Sequence, residues 1–141
     1  MSTLFEKIID GEIPGQIVWQ DPVCVAFLSV DPLTDGHTLV VPRTPVDQWL
    51  DADDDLVATL MSVGKVIGRA QVQEWGARRA GVLIEGFQVP HLHVHVWPAN
   101  GHGDFDVNAV THGQDPQVLA TNADRLRARL RTLGYGEQVP A

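Results

Sequence analysis

Apolar positions along the chain alternate between two periods, and each change of period marks an element. Leu4, Phe5, Ile8 and Ile9 recur at helical spacing behind Thr3, and Glu6 completes a capping-box pattern, predicting a short helix stopped by Gly11 and Pro14. Ile17 to Trp19 and Val23 to Leu28 are β-branched, apolar runs separated by Gln20-Asp21-Pro22, predicting a hairpin. After the break from Pro32 to Gly36, His37 to Val41 reads as a buried strand ended by Pro42, which has no N–H for a ladder. From Asp53 onward Leu56, Val57, Leu60, Val63, Ile67 and Ala70 return every three or four residues, predicting the main helix up to about Gly76. Asp53, Asp54 and Asp55 fall in its first turn, where negative charge complements the helix dipole. Gly81 to Glu85 and His91 to Trp97 read as strands, the Gly- and Asp-rich stretch Asn100 to Gln114 as a long loop, and Asp115 to Leu133 as a last helix. Arg125, Arg127, Arg129 and Arg131 near its end read as a solvated, dipole-compatible face. This order predicts an α+β fold on an antiparallel sheet, and the 141 residues form one domain, 1–141, without repeats.

Composition narrows the function. The hydrophobic fraction of 44% and charged fraction of 20% suit a folded core. Eighteen acidic against ten basic residues give a net charge of −8, which disfavours nucleic acid polymers and anionic membrane surfaces as partners. Cys24 is the only cysteine, so no disulfide within the chain and no cysteine-based zinc site can form, and a buried thiol is expected. No apolar run reaches the ~20 residues of a membrane span. The first residues lack the pattern of a secretory signal, so a cytoplasmic setting is the default.

The candidate chemistry lies in Pro90-His91-Leu92-His93-Val94-His95-Val96-Trp97-Pro98. Strict alternation in a strand puts His91, His93 and His95 on one face and Leu92, Val94 and Val96 on the other. Imidazoles spaced at about 7 Å along a strand repel as cations, which favours neutral rings available as nucleophile or base near neutral pH. Zinc held by alternating histidines with a remote third ligand is a competing reading, against which the strand supplies no carboxylate. A third reading is an exposed polar face with no role.

The histidine run resembles the signature of the histidine triad (HIT) superfamily, and the resemblance extends to Leu4 to Pro14, Val25-Ala26-Phe27-Leu28 and Gly36 to Arg43, which are similar to successive blocks of its Hint-like branch. The similarity covers about residues 3–98, leaving a divergent loop and helix over 99–141. It implies a HIT-like fold: a five-stranded antiparallel sheet with a main helix and a C-terminal helix. It also implies a hydrolase or transferase acting at the α-phosphate of nucleoside phosphoramidates or related nucleotide conjugates through a covalent nucleotidyl-histidine. By this resemblance His93 is the nucleophile, His95 stands beside the phosphate oxygens or leaving group, and His91 and His37 complete the site. Phe5, Ile8, Phe27, Val30 and Leu39 match positions against base and ribose. A small-molecule nucleotide is the expected ligand, a homodimer through the main helix and a sheet edge the expected assembly, and no metal or other cofactor is called for.

Three departures qualify the match. Ser29 stands where the branch has a ribose-binding aspartate, offering one neutral group, with Asp31 as a second candidate. The phosphate loop is short: Gly86 matches its glycine, Gln88 takes the place of a serine, and Glu85 opposes an anion. Trp97-Pro98-Ala99-Asn100 replaces a glycine pair. Two alternatives therefore stay open, a nucleotide-binding regulatory HIT module with little catalysis and a Fhit-like dinucleoside polyphosphate hydrolase. Eleven of the 18 acids precede residue 56, opposed there by Lys7 and Arg43 alone, so a nucleotide is expected to bind against an unfavourable field that salt relieves.

Overall fold

The computed structural model describes residues 2–141. Helix α1 (Leu4–Ile9) opens with the capping box that Thr3 and Glu6 predict: Thr3 Oγ1 accepts from the Glu6 amide at 3.1 Å and Glu6 Oε1 from the Thr3 amide at 2.9 Å. It buries Phe5. Strands β1 (Ile17–Gln20) and β2 (Cys24–Leu28) form the expected hairpin, organised by Asp21, whose carboxylate accepts from the amides of Val23 and Cys24 and from the Trp19 indole. Burial pushes the Asp21 carboxyl up, but these hydrogen bonds outweigh it and hold the group below its ordinary value. Cys24 is buried and unpaired.

Strand β3 (Thr38–Pro42), helix α2 (Asp54–Trp75), strands β4 (Arg79–Leu83) and β5 (Val94–Ala99), and helix α3 (Pro116–Thr132) follow. The five strands pair antiparallel in the order β1-β2-β3-β5-β4. Register gives each face a distinct use. Ala26, Val40 and Val94 lie in one row, under a core completed by Leu60, Val63 and Ile67 of α2 and Leu126 and Leu130 of α3. Phe27, Leu39 and His95 lie in the next row, on the opposite face, where Phe5 of α1 joins Phe27, Leu39, Val25 and Val41 in a smaller cluster.

Three sequence expectations are corrected. The last strand begins at Val94, not His91, because the next hydrogen-bonding position of the β3 ladder, two residues on, would set Leu92 opposite Pro42, which has no N–H. The amides of His91 and Leu92 bond instead to the carbonyls of Val89 and Val46. Strand β4 lies two residues earlier than Gly81 to Glu85, which leaves Ile84 and Glu85 in the loop before the histidines. The arginines of α3 are tethers, not only a solvated face: Arg125 and Arg129 each bond Glu74 of α2, at 2.8 and 3.3 Å, and Arg127 donates to the Ile17 carbonyl of β1 at 2.9 Å. Arg125, then Arg129, hold the Glu74 carboxyl below its ordinary value.

The stretch between β5 and α3 is built from two short 3-10 turns, His102–Phe105 and Val107–Ala109, and then doubles back on the β2–β3 connection. Thr111 and Gln114 donate main-chain hydrogen bonds to the carbonyls of Pro32 and Val30, and the Gly113 amide donates to Asp31 Oδ1 at 2.8 Å. No helix among the described residues is long and apolar enough to cross a membrane.

Candidate active site

The four histidines are held by bonds whose donors can be assigned in sequence. His91 is fully buried. Its Nε2–H donates to the Pro42 carbonyl at 2.8 Å, so its Nδ1 accepts the Thr3 hydroxyl at 2.7 Å. His93 Nδ1–H donates to the His91 carbonyl at 2.7 Å, which leaves the Nε2 lone pair free. The edge of the Phe5–His93 pair, at 4.8 Å between ring centres, fixes the plane of this ring.

His37 and His95 form a second pair. The Leu33 amide donates to His37 Nδ1 at 2.9 Å, so His37 Nε2–H donates to His95 Nδ1, also at 2.9 Å. His95 must then carry its proton on Nε2, and this buried atom has no partner within the protein. The result is an acceptor nitrogen on His93 and a donor nitrogen on His95, with ring centres 4.8 Å apart. All three rings near the cavity stay neutral near pH 7. Burial, then the neighbouring His95 and His93, lowers His37 to about 3, and burial followed by His93 lowers His95 to about 4. Burial also lowers His93, helped by His91 and opposed by its hydrogen bond to the His91 carbonyl and by Glu85.

Behind this pair stands a residue that the sequence reading passed over. Gln71 of α2 is fully buried, and its Nε2 donates to the carbonyls of Gly36 and Val96 at 2.8 and 2.9 Å. One amide thus ties the residue before His37 to the residue after His95. Its position continues the buried Leu60, Val63, Ile67 stripe, and a polar side chain on an apolar helical face was the available signal. Gly36 is required beside it: its φ is +91°, and a Cβ there would lie 2.6 Å from the Trp75 ring.

Two cavities flank His93, which lines neither itself but packs against Phe5 of the first and His95 of the second. The first, about 300 Å³, is lined by Phe5, Ile8, Phe27, Ser29, Val30 and Leu39, the six apolar and hydroxyl positions expected from sequence. Pro116 and Leu119 of α3 close it, a contribution from the divergent end that the sequence did not foreshadow. The second, about 320 Å³, is lined by His37, His95, Asp31, Glu85, Gln88 and the segment around Asn108 and His112. Gln88 therefore sits on the His95 side, away from the first cavity. Gly86 lines neither, and its φ of +80° turns the loop between them. Asp31 lines the second cavity and anchors Gly113, away from Ser29's cavity, while Ser29 Oγ accepts from the Asp31 amide at 3.2 Å. No lysine or arginine lines either cavity. Among the described residues no group of three or more histidine, cysteine or acidic side chains is arranged to hold a metal ion.

A five-stranded antiparallel sheet presenting this histidine cluster defines a class, and residues 10–102 match the HIT domain family, to which the chain belongs. Protein hit of Bacillus subtilis (strain 168) is 33% identical over 135 residues, which span 90% of this chain and 93% of that protein. Among solved structures, a zinc-bound histidine triad family protein from Mycobacterium smegmatis superposes with a TM-score of 0.80 at 30% identity, covering 96% of this chain and 98% of the other. A hypothetical histidine triad nucleotide-binding protein from Sulfolobus tokodaii gives 0.76 at 28% identity, covering 92% of each.

Proposed function

We propose that the protein is a nucleotide hydrolase or transferase of the phosphoramidase type, acting at the α-phosphate through a nucleotidyl adduct on His93. The observation that carries this reading is the free Nε2 of His93, oriented by the Nδ1–H bond to the His91 carbonyl and kept neutral by burial. The nucleoside half fills the cavity between Phe5, Phe27 and Leu39, with Ser29 toward the ribose. His93 Nε2 attacks the α-phosphorus and a phosphorus–nitrogen bond forms. The bond to the leaving group breaks with its electron pair, and that group takes a proton from solvent. His95 Nε2–H donates to a phosphoryl oxygen as charge builds there. Water then attacks phosphorus and breaks the bond to His93. It leaves a nucleoside monophosphate, a neutral imidazole and the balancing proton. An acceptor alcohol or amine in place of water gives transfer.

The reading includes a homodimer and a cytoplasmic setting. An open apolar groove runs along the outer side of α2 and edge strand β4, between Met61, Gly64, Gly68, Ala80 and Val82, with Met61 and Val82 more than two-fifths exposed. It is larger than either cavity at the histidines and lies away from them, which suits a second copy of the chain better than a nucleotide. The free, buried Cys24 suits a reducing compartment.

One observation favours the second reading, a regulatory module that binds nucleotide with little turnover: no cation lines either cavity to offset phosphate charge. The test separates the two. With adenosine and guanosine phosphoramidates, the wild-type chain is expected to turn over and to show a nucleotidyl adduct by mass spectrometry under acid-free quenching. His93→Ala is expected to lose both while still binding AMP. Unchanged turnover in His93→Ala overturns the nucleophile, and AMP binding without adduct or turnover in the wild type selects the regulatory module.

A further inference from the structure

The second cavity has no part in the nucleoside-binding role, and one of its walls comes from Val107, Asn108, Val110 and His112, outside the triad and its blocks. Resting on the reading above, we infer that residues 106–114 wall a leaving-group compartment within the same chain, and that this compartment selects an amine leaving group bearing a distal positive charge over one bearing phosphates.

Position comes first. His93 stands between Phe5, a wall of the nucleoside cavity, and His95, a wall of the second, with 4.8 Å between ring centres on each side. With the nucleoside in the first cavity and the α-phosphorus at His93 Nε2, the remaining substituent finds room beside His95. The ring of His95, whose buried Nε2–H has no partner in the protein, belongs to the wall of the second cavity.

The compartment is also built, not incidental. Three hydrogen bonds pin its wall to the turn that follows Ser29: Thr111 N–H to the Pro32 carbonyl, Gln114 N–H to the Val30 carbonyl and Gly113 N–H to Asp31 Oδ1. The same turn therefore carries a wall of the nucleoside cavity, at Val30, and the anchor of the leaving-group wall, at Asp31.

Its chemistry selects charge. Asp31 and Glu85 line the cavity, no lysine or arginine does, His37 and His95 are neutral, and His112 on the 106–114 wall adds a third imidazole. Leu33, Leu83, Val107 and Val110 supply apolar wall for a methylene stem. An alkylamine with a distal ammonium satisfies both features, stem against apolar wall and charge near carboxylates. A nucleoside diphosphate leaving group meets two carboxylates and no compensating cation, and repulsion acts against it as a specificity device.

Three substrates sharing one nucleotidyl half test this: the AMP phosphoramidate of a diaminoalkane, that of the matched monoalkylamine, and diadenosine triphosphate. At low salt kcat/KM is expected to fall in that order, with about a tenfold gap between the first two. Glu85 and Asn108 are exposed, so Glu85→Lys and Asn108→Lys test loop and wall separately, with thermal unfolding as the check on folding. Each is expected to shrink the diaminoalkane preference by about tenfold and to raise relative activity on diadenosine triphosphate. Turnover with no preference among the three, or a preference unmoved by both substitutions, overturns the compartment and leaves the His93 chemistry standing. Absence of turnover and of a His93 adduct with all three overturns both.

Discussion

His37 and His95 share one 2.9 Å hydrogen bond whose direction is set from behind, because the Leu33 amide occupies the only acceptor nitrogen of His37. His95 is thereby committed to carrying a proton, not a lone pair, on its unpartnered Nε2. His95→Ala is expected to lower kcat by about 10²- to 10³-fold, the usual loss for one transition-state donor. His37→Phe removes the bond that sets the tautomer and is expected to cost about 10²-fold in kcat with little change in KM. Steady-state kinetics on a phosphoramidate checks both. A His37→Phe enzyme with wild-type kcat would show that the ring orientation does not depend on this pair.

The same burial makes the fold sensitive to acid. In the folded chain His37 and His95 protonate at about 3 and 4, against an ordinary 6.5, so between these values the unfolded chain binds protons that the folded one refuses. Stability is therefore complete above pH 7.5 and falls as pH drops below 6.5, by about 2 kcal/mol per group at pH 5. Urea midpoints at pH 7 and pH 5 measure the loss, and His37→Phe is expected to reduce it. Activity per folded molecule should persist below pH 6, since His93 is also held below its ordinary value.

Gln71 gives a prediction about distance. Gln71→Leu removes the two donors to the carbonyls of Gly36 and Val96 and leaves the Val96 carbonyl without its helix partner, while Gly36 keeps the Thr38 hydroxyl. The expected cost is about 2 to 3 kcal/mol, seen as a lower urea midpoint at unchanged slope. Because the amide bridges the neighbours of His37 and His95, kcat should fall too, although Gln71 lies on the other side of the sheet from the cavity.

Salt should help binding. The chain carries a net charge of −8 and neither cavity offers a lysine or arginine. The dissociation constant of AMP is expected to tighten by about two- to threefold between about 20 and about 200 mM salt, as screening relieves repulsion. Calorimetry at the two strengths decides it, and weaker binding at high salt would point to a cation that reaches the phosphate.

The fold was legible where local rules act alone. The Thr3–Glu6 box, the α2 stripe and the imidazole alternation each follow from spacing within a few residues, and the alternation placed the rings on the face opposite Leu92 and Val94 even though the strand itself starts later. What pattern could not show was partnership across the chain. Gln71 finds Gly36 thirty-five positions away, and Arg127 finds Ile17 at a separation of 110. The stretch 100–114 has no periodicity to read, and its course is set by main-chain bonds to Val30 and Pro32 and by the Asp31 carboxylate, none of which leaves a local pattern. The candidate site was thus half visible: the histidines and the wall of the first cavity in the motifs, the second cavity only in three dimensions.

The cavity proposed for the nucleoside also joins an early and a late segment of the chain, since Phe5 and Ile8 form one side and Pro116 and Leu119 another. On the proposed function, the full wall offered to a nucleoside is assembled only once α3 has been made, after the triad. A chain cut short before Pro116 would keep every histidine and lose part of the wall proposed for the base.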